Sequence, residues 1–291
     1  MKKILITGAT GNVGEQVIKF LVLKQGNFEI LAGVRDLGDG HRFPNFPDVK
    51  PVRFDFGKKA LVDEALAKVD ILFLLRPPQL ININSYFEPL VQSAVKYKVR
   101  HIVFLSVQGA EKNSFIPHHK IEKLILDSKL NYTFLRPAYF MQNFTTTLKT
   151  DLIEHNRIYL PAGGAVFTLI DLEDVGKVAA EVLSHTQGHQ NKAYTLTANQ
   201  KLNFKQMADS LSRHLNRSIT YKSPNPLVFF WKMKQRGHSV KFILVLIMLH
   251  YLPRFKSAPN ISKSVKTITG FEPNSFSTFI QKNKKLLSYN Q

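Results

Sequence analysis

The chain has 291 residues, of which 44% are hydrophobic and 21% charged, a composition that suits one large folded domain or two smaller ones and argues against extensive disorder. It contains no cysteine, which excludes a disulfide framework, a thiolate nucleophile and a cysteine-ligated metal site, and agrees with the reducing cytoplasm in which we place the protein. The formal net charge is +19, and residues 201–291 carry 16 of the 40 Lys and Arg but only 2 of the 21 Asp and Glu.

The first half of the chain alternates between short apolar runs and amphipathic stretches of helical period. The predicted strands are Lys3–Thr7, Phe28–Val34, Pro51–Phe54, Ile71–Leu75, His101–Ser106 and Tyr132–Arg136. The predicted helices are Val13–Leu23, Ala60–Ala67, Ser85–Tyr97 and His118–Ser128. Continuously apolar strands indicate a sheet covered on both faces, and strand–helix alternation at this spacing predicts an α/β fold with a doubly wound parallel sheet.

The pattern changes after Pro137, where the segments predict a smaller, mostly helical α/β region. Its predicted elements are strands at Val166–Ile170, Tyr194–Thr197 and Ile219–Tyr221, and helices at Val175–Ser184, 203–215, Leu227–Gln235 and Val240–Leu252, with a last helix from Ser275 or Ser277. We expect a doubly wound domain at residues 1–150. Residues 151–291 would partly complete the sheet and partly cover a substrate cleft.

The C-terminal region also bears on possible partners. Its apolar run Phe242–Leu252 is about half as long as a spanning helix requires, so we predict no membrane span and interpret the run as a core helix or a partner-facing one. The basic balance indicates an acidic partner, nucleic acid or anionic lipid, or else only a lysine-rich surface. Because the basic residues form no compact block, nucleic-acid binding is disfavoured. A homodimer contact or a protein partner is expected at the C-terminal helices.

The strongest local signal is a glycine-rich segment, TGATGNVG, at residues 7–14 between the first strand and the first helix. Its three glycines permit a tight turn, close approach of the backbone to a pyrophosphate and close packing of the helix on the strand. Free N–H groups at the helix start would face the phosphates, and a plain tight turn is the alternative. The segment predicts a Rossmann-type site for NAD(P). The residues assigned to it are Gly8, Thr10, Gly11, Asn12, Val13 and Gly14.

The end of the second predicted strand bears on the choice of dinucleotide. A site that prefers NAD usually places an acid there to hold the ribose 2′-hydroxyl, whereas this chain has Val34 followed by Arg35. A guanidinium can pair with the 2′-phosphate of NADP, so we predict that NADP(H) is preferred over NAD(H). Two alternatives stay open: Asp36 can hold a 2′-hydroxyl, and Arg35 can form only a salt bridge with Asp36 or Asp39.

Two further strand ends supply candidate cofactor residues. Asp55 and Phe56 follow the third strand, where they can reach the adenine amino group and cover its ring, or serve only as a turn. Leu75, Arg76 and Pro77 end the fourth strand. Because ligands of doubly wound sheets bind at the carboxyl ends of the strands, we expect these three residues to border the cofactor's ribose.

Five segments spread over most of the chain carry a resemblance to a known family. They are TGATGNVG, LAGVRD, HIVFLSVQGA, HHKIEKLILDSKLNYTFLRPAYFMQN and IDLEDVGKVAAEVL. Together they resemble the NmrA-like branch of the atypical short-chain dehydrogenase/reductases. The resemblance implies a Rossmann domain with NAD(P)(H) in a cleft beside a smaller C-terminal substrate region. Members of this family include quinone reductases, other small-molecule reductases and cofactor-sensing regulators without evident catalysis.

One departure from the wider superfamily concerns catalysis. Its catalytic members use a Tyr-x-x-x-Lys pair, in which Lys lowers the pKa of Tyr, whereas the matching positions here hold His118 and Glu122. The two residues share a face of the predicted helix, so His118 is the candidate acid–base residue, with Glu122 orienting it and raising its pKa. The alternative is that His118 caps the helix and Glu122 pairs with a nearby base.

The fifth and sixth strands end with the remaining candidates. Ser106 matches the position of a substrate-orienting serine in the superfamily, or it only satisfies local backbone. Pro137 ends the sixth strand and is expected near the nicotinamide, so Ser106 and Pro137 join the predicted cofactor site. Tyr139 lies just beyond it and can stack on a flat substrate or pack in the core.

These residues predict a function without a metal. The ten histidines are scattered and no H-E-x-x-H spacing exists, so we expect no metal site. We expect an NADPH-dependent oxidoreductase that passes hydride to a quinone or another small planar acceptor, since quinone reduction gives a delocalised oxyanion that tolerates the missing Tyr–Lys pair. The alternative is a non-catalytic protein that senses NADP(H) and regulates a protein partner.

Overall fold

The computed structural model describes residues 1–38, 43 and 46–288. Its strands are β1 Lys2–Ile6, β2 Phe28–Val34, β3 Val49–Arg53, β4 Ile71–Leu75, β5 His101–Leu105, β6 Asn131–Pro137, β7 Tyr139–Phe140, β8 Arg157–Tyr159, β9 Val166–Ile170, β10 Lys192–Leu196, β11 Lys201–Asn203 and β12 Thr220–Lys222. Its α-helices are α1 Asn12–Val22, α2 Lys59–Leu66, α3 Ile83–Lys96, α4 Pro117–Asp127, α5 Lys149–His155, α6 Leu172–Ser184, α7 Phe204–Leu215, α8 Pro226–Gln235, α9 Val240–Tyr251, α10 Ser264–Thr269, α11 Phe276–Lys282 and α12 Lys284–Leu287.

Seven strands form one sheet in the order β3-β2-β1-β4-β5-β6-β10. Every neighbouring pair in it is parallel. The chain starts at the centre of the sheet and winds outward in both directions, which is the Rossmann order. The doubly wound α/β fold predicted from the sequence is confirmed, and the predicted bounds of β2 and β4 match the observed ones.

Helices cover both faces of this sheet. On one face, apolar residues of α2, α3 and α4, among them Leu66, Phe87 and Ile121, share a core with Leu72 of β4 and Phe104 of β5. The second helical layer comes from α1 and α6, which pack on each other, and α6 also contacts β5 and β6. Strands covered on both sides have no polar face, which is why their sequences show no alternation.

The internal contacts divide the chain into two units that alternate along the sequence. The first unit is Met1–Pro137, Leu172–Leu196 and Ser264–Phe271, and the second is Ala138–Asp171, Thr197–Lys263 and Glu272–Gln291. The single boundary expected at residue 150 is therefore replaced by an interleaved division. The reason is that α6 packs on α1 and β10 pairs with β6, so both elements belong with the first unit.

The second unit has two small sheets, β11-β9-β7 and β12-β8, together with α5, α7, α8, α9, α11 and α12. Aromatic side chains dominate its core, among them Phe144, Phe204 and Phe276. The helix α7 begins at the predicted N-cap, because Asn203 and Gln206 form a capping box. Among the described helices, none is both long and apolar enough to cross a membrane.

Candidate functional site

The turn between β1 and α1 requires glycine at two positions. Gly8 has a φ of +62°, in the left-handed region that glycine tolerates. A Cβ on Gly14 would stand 2.2 Å from the carbonyl oxygen of Gly8 and 2.7 Å from the Cα of Ala9. Since both of those atoms are backbone, no side-chain movement could relieve the overlap. Glycine at position 14 therefore lets α1 begin directly against the turn.

The start of α1 presents backbone donors. Its N-cap residue Gly11 is exposed, and among the described residues no side chain caps this end of the helix. The Gly11 N–H donates to the Gly8 carbonyl oxygen at 3.0 Å, and the Glu15 N–H donates to the Gly11 carbonyl oxygen at 2.9 Å. The N–H groups of Asn12 and Val13 precede the first intrahelical bond, so they can donate to an anion.

Thr7 ties this turn to the end of β4. Its hydroxyl donates to the carbonyl oxygen of Phe73 at 3.0 Å and accepts from the N–H of Leu75 at 2.8 Å. Leu75 consequently lies beside the turn, with its Cδ2 3.1 Å from the position of a Cβ on Gly8. The structure thus brings together two predicted cofactor residues, Gly8 and Leu75. Thr7 itself was not predicted, although a threonine between an apolar strand and a glycine turn was the available signal.

Arg35 and Asp36 follow β2, and both are exposed. The N–H of Gly38 donates to a carboxylate oxygen of Asp36 at 3.0 Å, so Asp36 is engaged in its own turn. Within the described part of the chain, Arg35 pairs with no carboxylate; Asp39, the other partner considered, lies outside it. The salt bridge between Arg35 and Asp36 is therefore not observed.

Asp55 and Phe56 make local contacts after β3. A carboxylate oxygen of Asp55 accepts from the N–H of Gly57 at 2.9 Å, which is the turn role considered for this residue. The ring of Phe56 packs edge-on against Phe54, with ring centroids 5.0 Å apart, and lies 5.4 Å from Phe87. The Phe56 ring thus packs partly against the core beside the end of β3.

Arg76 places a largely buried cation at the end of β4. One terminal nitrogen donates to the carbonyl oxygens of Pro77 and Pro78 at 3.3 Å and of Leu80 at 3.1 Å. Its Nε is buried and has no partner, and within the described residues no carboxylate pairs with the guanidinium. Burial lowers the pKa of Arg76. An uncompensated cation in this position favours an anionic ligand.

His118 lies near Arg76 and is held neutral. Its ring stacks on Phe104 with centroids 6.1 Å apart. Burial, assisted by the positive charge of Arg76, lowers the pKa of His118 to about 3. The expectation that Glu122 raises this pKa is wrong. His118 does not cap the helix either, because Ile116 is the N-cap residue of α4.

Glu122 is paired with an arginine. Arg136 donates to its two carboxylate oxygens through Nε at 2.9 Å and through a terminal nitrogen at 2.7 Å. Arg136 also lies 3.2 Å from the carboxylate of Glu111. Glu122 is buried, so this two-pronged pair neutralises its charge inside the protein. The alternative in which Glu122 pairs with a nearby base is the one observed, and the predicted His118–Glu122 pair is not.

Ser106 has an unused hydroxyl at the end of β5. The residue is only 2% exposed, and its Oγ has no hydrogen-bond partner. Its backbone N–H is satisfied by the carbonyl oxygen of Leu135 at 2.8 Å. Pro137, at the end of β6, is buried, and its carbonyl oxygen accepts from the N–H of Gln108 at 2.9 Å. The local hydrogen bond of Ser106 to the backbone is therefore made by its amide, and its hydroxyl is available to a ligand.

These strand ends fit a dinucleotide. The exposed backbone donors of α1, the buried Ser106 hydroxyl and the unpaired Nε of Arg76 all follow strands of the same sheet, at the ends where such folds bind ligands. A buried polar atom left without a partner costs about 1–3 kcal/mol, which a ligand hydrogen bond would offset. The neutral ring of His118 and the side chain of Leu75 add apolar surface beside these donors.

Tyr139 is embedded in the aromatic core of the second unit. Its ring centroid lies 5.6 Å from that of Phe167 and 5.8 Å from that of Phe204. Its hydroxyl lies 3.2 Å from Nε2 of His250, whose Nδ1 lies 2.7 Å from the carbonyl oxygen of Leu246. Since a carbonyl only accepts, Nδ1 carries the proton and the Tyr139 hydroxyl donates to Nε2. Of the two roles considered for Tyr139, stacking on a substrate or packing in the core, its contacts are those of core packing.

Burial dominates the electrostatics of this pair. It raises the pKa of Tyr139 and lowers the pKa of His250 to about 4, so both groups are neutral at pH 7. His250 was not predicted, because nothing in the local sequence distinguishes it within an apolar helix. In the described part of the chain, no group of three or more His, Asp or Glu side chains could hold a metal ion.

A model of the NmrA-like family matches residues 1–236. The chain belongs to this family. The resemblance drawn from the five sequence segments is therefore confirmed. The family relationship agrees with the site geometry, in which the glycine turn and the ends of β4 and β5 are the best-formed parts.

The relatives of this NmrA-like chain include a protein named for differentiation and proteins named for reductase activity. Prestalk A differentiation protein A of Dictyostelium discoideum is 30% identical, and the match covers 95% of this chain and 90% of the relative. Quinone oxidoreductase 2 of Escherichia coli (strain K12) is 26% identical, with 80% of this chain and 82% of the relative covered. Among solved structures, Citrobacter sp. triphenylmethane reductase complexed with NADP(H) superposes with a TM-score of 0.85 at 25% identity, covering 96% of this chain and 99% of that one.

Proposed function

We propose that this NmrA-like protein is an NADPH-dependent oxidoreductase that passes hydride to a quinone or another small planar acceptor. The observation that carries the proposal is the glycine turn, where Gly8 and Gly14 exclude side chains beside the backbone donors of α1. Turns of this kind hold the pyrophosphate of a dinucleotide. The acceptor class is supported by the names of two relatives, a quinone oxidoreductase and a triphenylmethane reductase, whose names both refer to conjugated ring systems.

The preference for NADPH over NADH rests on Arg35. It follows β2, where an NAD-preferring site would place an acid, and it is exposed. The nearest acid, Asp36, accepts a hydrogen bond from Gly38 in its own turn. A planar guanidinium without a carboxylate partner in the described residues can bind a 2′-phosphate through two parallel hydrogen bonds.

Each residue of the site has a proposed role. The N–H groups of Asn12 and Val13 bind the pyrophosphate, and Arg76 adds positive charge beside it. The Ser106 hydroxyl binds the cofactor or orients the acceptor, which satisfies an otherwise unpaired buried group. Bound NADPH supplies the hydride from its nicotinamide ring. The protein contributes mainly by orienting donor and acceptor and by excluding water.

The proton that completes the reduction comes from water. A quinone that accepts hydride becomes a hydroquinone anion, and one proton then neutralises it. With a pKa of about 3, His118 is neutral at pH 7 and holds no imidazolium proton to give. His118 therefore shapes the site, and Tyr139, whose hydroxyl already donates to His250, contributes its ring to the packing of the second unit.

The first test is NADPH oxidation, followed by nicotinamide absorbance, with a panel of quinones, azo dyes and simple carbonyl compounds. We expect turnover with the planar conjugated acceptors and none with the carbonyl compounds, which need a stronger proton donor. If NADPH binds in the same samples but no acceptor is reduced, the protein is not the proposed enzyme.

Replacing Arg35 by Ala tests the cofactor preference. We expect NADPH affinity to fall about tenfold, equivalent to about 1.4 kcal/mol, while NADH affinity changes little. The measurement is a titration of both reduced cofactors against both proteins. Arg213→Ala is the control, because Arg213 is an exposed arginine of α7 in the second unit and has no assigned role. Equal losses of affinity for NADPH and NADH in Arg35→Ala would show that Arg35 does not bind the 2′-phosphate.

A second candidate function is that of an NADP(H) sensor without catalysis. It is favoured by the neutral His118 and by the pairing of Glu122 with Arg136, which together leave the positions of the Tyr–Lys pair without an acid. The relative from Dictyostelium discoideum also bears a name that states no reaction. A sensor would bind oxidised and reduced cofactor with different affinities and would reduce nothing in the acceptor panel.

A further inference from the structure

The helices α8 and α9 of the second unit expose a group of large apolar side chains, here named the α8–α9 surface. The two helices pack against each other. The members of the surface are Leu227, Val228 and Trp231 of α8, Leu244, Val245, Met248 and Leu249 of α9, and Leu252 just after α9. Each is between 43% and 71% exposed. Single exposed apolar residues are ordinary, but a group of eight on and beside two packed helices marks an interaction site.

The surface results from a helix that is apolar on all sides. The inner side of α9, with Ile243, Leu246 and His250, is buried in the second unit. The outer side carries apolar residues at helical spacing, so Leu244 and Met248 lie one turn apart, as do Val245 and Leu249. A helix with no polar face is normally covered all round. Among the residues that the structure describes, only the inner side of α9 is covered.

The charged side chains that α8, α9 and their flanking residues contribute are all positive. Residues 210–271 contain 11 Lys and Arg and no Asp or Glu. On α8, exposed Lys234 lies one turn after Trp231, and on α9, exposed Lys241 lies one turn before Leu244 and Val245. Beyond α9, Arg254 and Lys256 are exposed as well. Exposed apolar residues and exposed cations on the same helices are typical of a helix pair that lies in a membrane interface.

We propose that the α8–α9 surface binds the face of an anionic lipid bilayer. Its apolar side chains enter the boundary between headgroups and acyl chains, and Lys234, Lys241, Arg254 and Lys256 pair with lipid phosphates. Because α9 has 12 residues, it measures about 18 Å. It therefore lies along the surface of a hydrocarbon core that is about 30 Å thick.

The charge pattern favours lipid over a second copy of the chain. A symmetric dimer through this surface would place the same cations of both copies against each other without an acid from residues 210–271 to neutralise them. The apolar centre of the surface argues against nucleic acid, which offers phosphates but no apolar layer. The inference does not rest on the proposed reductase function, since all its residues lie in the second unit and its test needs no cofactor.

The chain carries its own reporter for the experiment. Trp231 is its single tryptophan, and it belongs to the α8–α9 surface with 64% of the residue exposed. The full-length protein is mixed with vesicles of phosphatidylcholine alone, or of phosphatidylcholine and phosphatidylglycerol in equal parts. We expect Trp231 emission to shift to shorter wavelength only with the anionic vesicles, and expect added salt to weaken that binding.

A matched pair of variants identifies the surface involved. Leu249→Glu introduces a negative charge on α9 at a residue that is 49% exposed, and Leu126→Glu does the same on α4 at a residue that is 47% exposed. We expect Leu249→Glu to weaken sedimentation with anionic vesicles by about tenfold or more, and Leu126→Glu to leave it unchanged. Circular dichroism confirms that both variants are folded.

Three outcomes would overturn the proposal. One is the absence of any shift of Trp231 emission with anionic vesicles at low salt. Another is equal binding by the two variants. The third is a dimer in analytical ultracentrifugation that Leu249→Glu dissociates, since a second copy of the chain would then cover the surface.

Discussion

Two histidines with lowered pKa values, His118 in the first unit and His250 in the second, differ in what their ring nitrogens do. Both are neutral, with pKa values lowered by burial to about 3 and about 4. His250 uses both nitrogens, one toward the carbonyl oxygen of Leu246 and one toward the hydroxyl of Tyr139. His118 stacks on Phe104, and within the described residues its ring has no hydrogen-bond partner.

The comparison separates a structural histidine from one that faces a ligand site. A shifted pKa is common to both, so the shift alone identifies neither as functional. What differs is the unused hydrogen-bonding capacity, and at the carboxyl edge of the sheet His118 shares that property with Ser106 and Arg76. In the second unit, the polar atoms of Tyr139 and His250 satisfy each other inside an aromatic core.

The largest expected effect is that of replacing Glu122, which pairs with Arg136 in the structure and which the sequence predicted to orient His118. Replacing Glu122 by Ala leaves Arg136, whose side chain is 15% exposed, with only the more distant Glu111, so we expect a loss of about 3 kcal/mol in the free energy of unfolding. Urea unfolding measures it. Lys123→Ala, which removes an exposed pair with Asp127 on the same helix, should cost less than about 0.5 kcal/mol.

If Glu122 acted through His118, the variant would instead change the pH dependence of NADPH oxidation. We expect that profile to keep its shape in whatever fraction of the Glu122→Ala protein is folded. A shifted pH profile together with an unchanged free energy of unfolding would support the predicted His118–Glu122 pair. It would contradict the pairing of Glu122 with Arg136.

The next effect tests whether the carboxyl edge is the ligand site. In Gly14→Ala, the new Cβ would overlap two backbone atoms, so we expect about 3 kcal/mol of destabilisation, the upper end of the usual cost of overpacking, together with loss of measurable NADPH binding. Gly188→Ala is the control, because a Cβ there meets nothing within 4 Å. If Gly14→Ala bound NADPH as well as the unmodified protein does, the cofactor would not bind at this turn.

The smallest effect concerns acid stability. The folded pKa of His250, about 4, lies below its unfolded value of about 6.5, so the unfolded state binds more protons and the stability contributed by the neutral ring is lost as pH falls from about 6.5 towards 4. Between pH 7 and pH 5 we expect the loss due to His250 to be about 2 kcal/mol. Urea unfolding at both pH values measures it.

His250→Gln keeps an acceptor for Tyr139 but does not titrate, so its stability should fall less steeply with acid by that amount. His155→Gln, at an exposed position of α5, should follow the unmodified protein. Parallel losses in all three proteins would mean that His250 is charged in the folded state, and the contrast with His118 would fail.

Local patterns in the sequence predicted most of the first unit. Its strands are continuously apolar and its glycine turn is one uninterrupted segment, so each signal lies within about ten residues. The short strands β7, β8 and β11 have two or three residues each, too few to show a period, and they were not predicted. Their pairing depends on contacts made elsewhere in the chain.

The side-chain partners were harder to predict than the fold. Glu122 and Arg136 are 14 residues apart, and Tyr139 and His250 are 111 apart. Helical spacing placed Glu122 beside His118, but the stronger, two-pronged pair with an arginine on the next strand took its carboxylate. Sequence spacing specifies which side chains share a helix face, whereas the partner across the fold depends on the tertiary structure.

The interleaved order of the units also has a consequence for synthesis of the chain on the ribosome. When residue 150 has left the ribosome, β6 is still an edge strand because β10 has not been made. The helix α1 has not yet packed against α6. Both become covered only after residues 172–196 follow, and α10, which packs on α6, comes later still. A nascent chain of this length therefore has an open β-edge with which other chains can pair until residues 192–196 add β10 to the sheet.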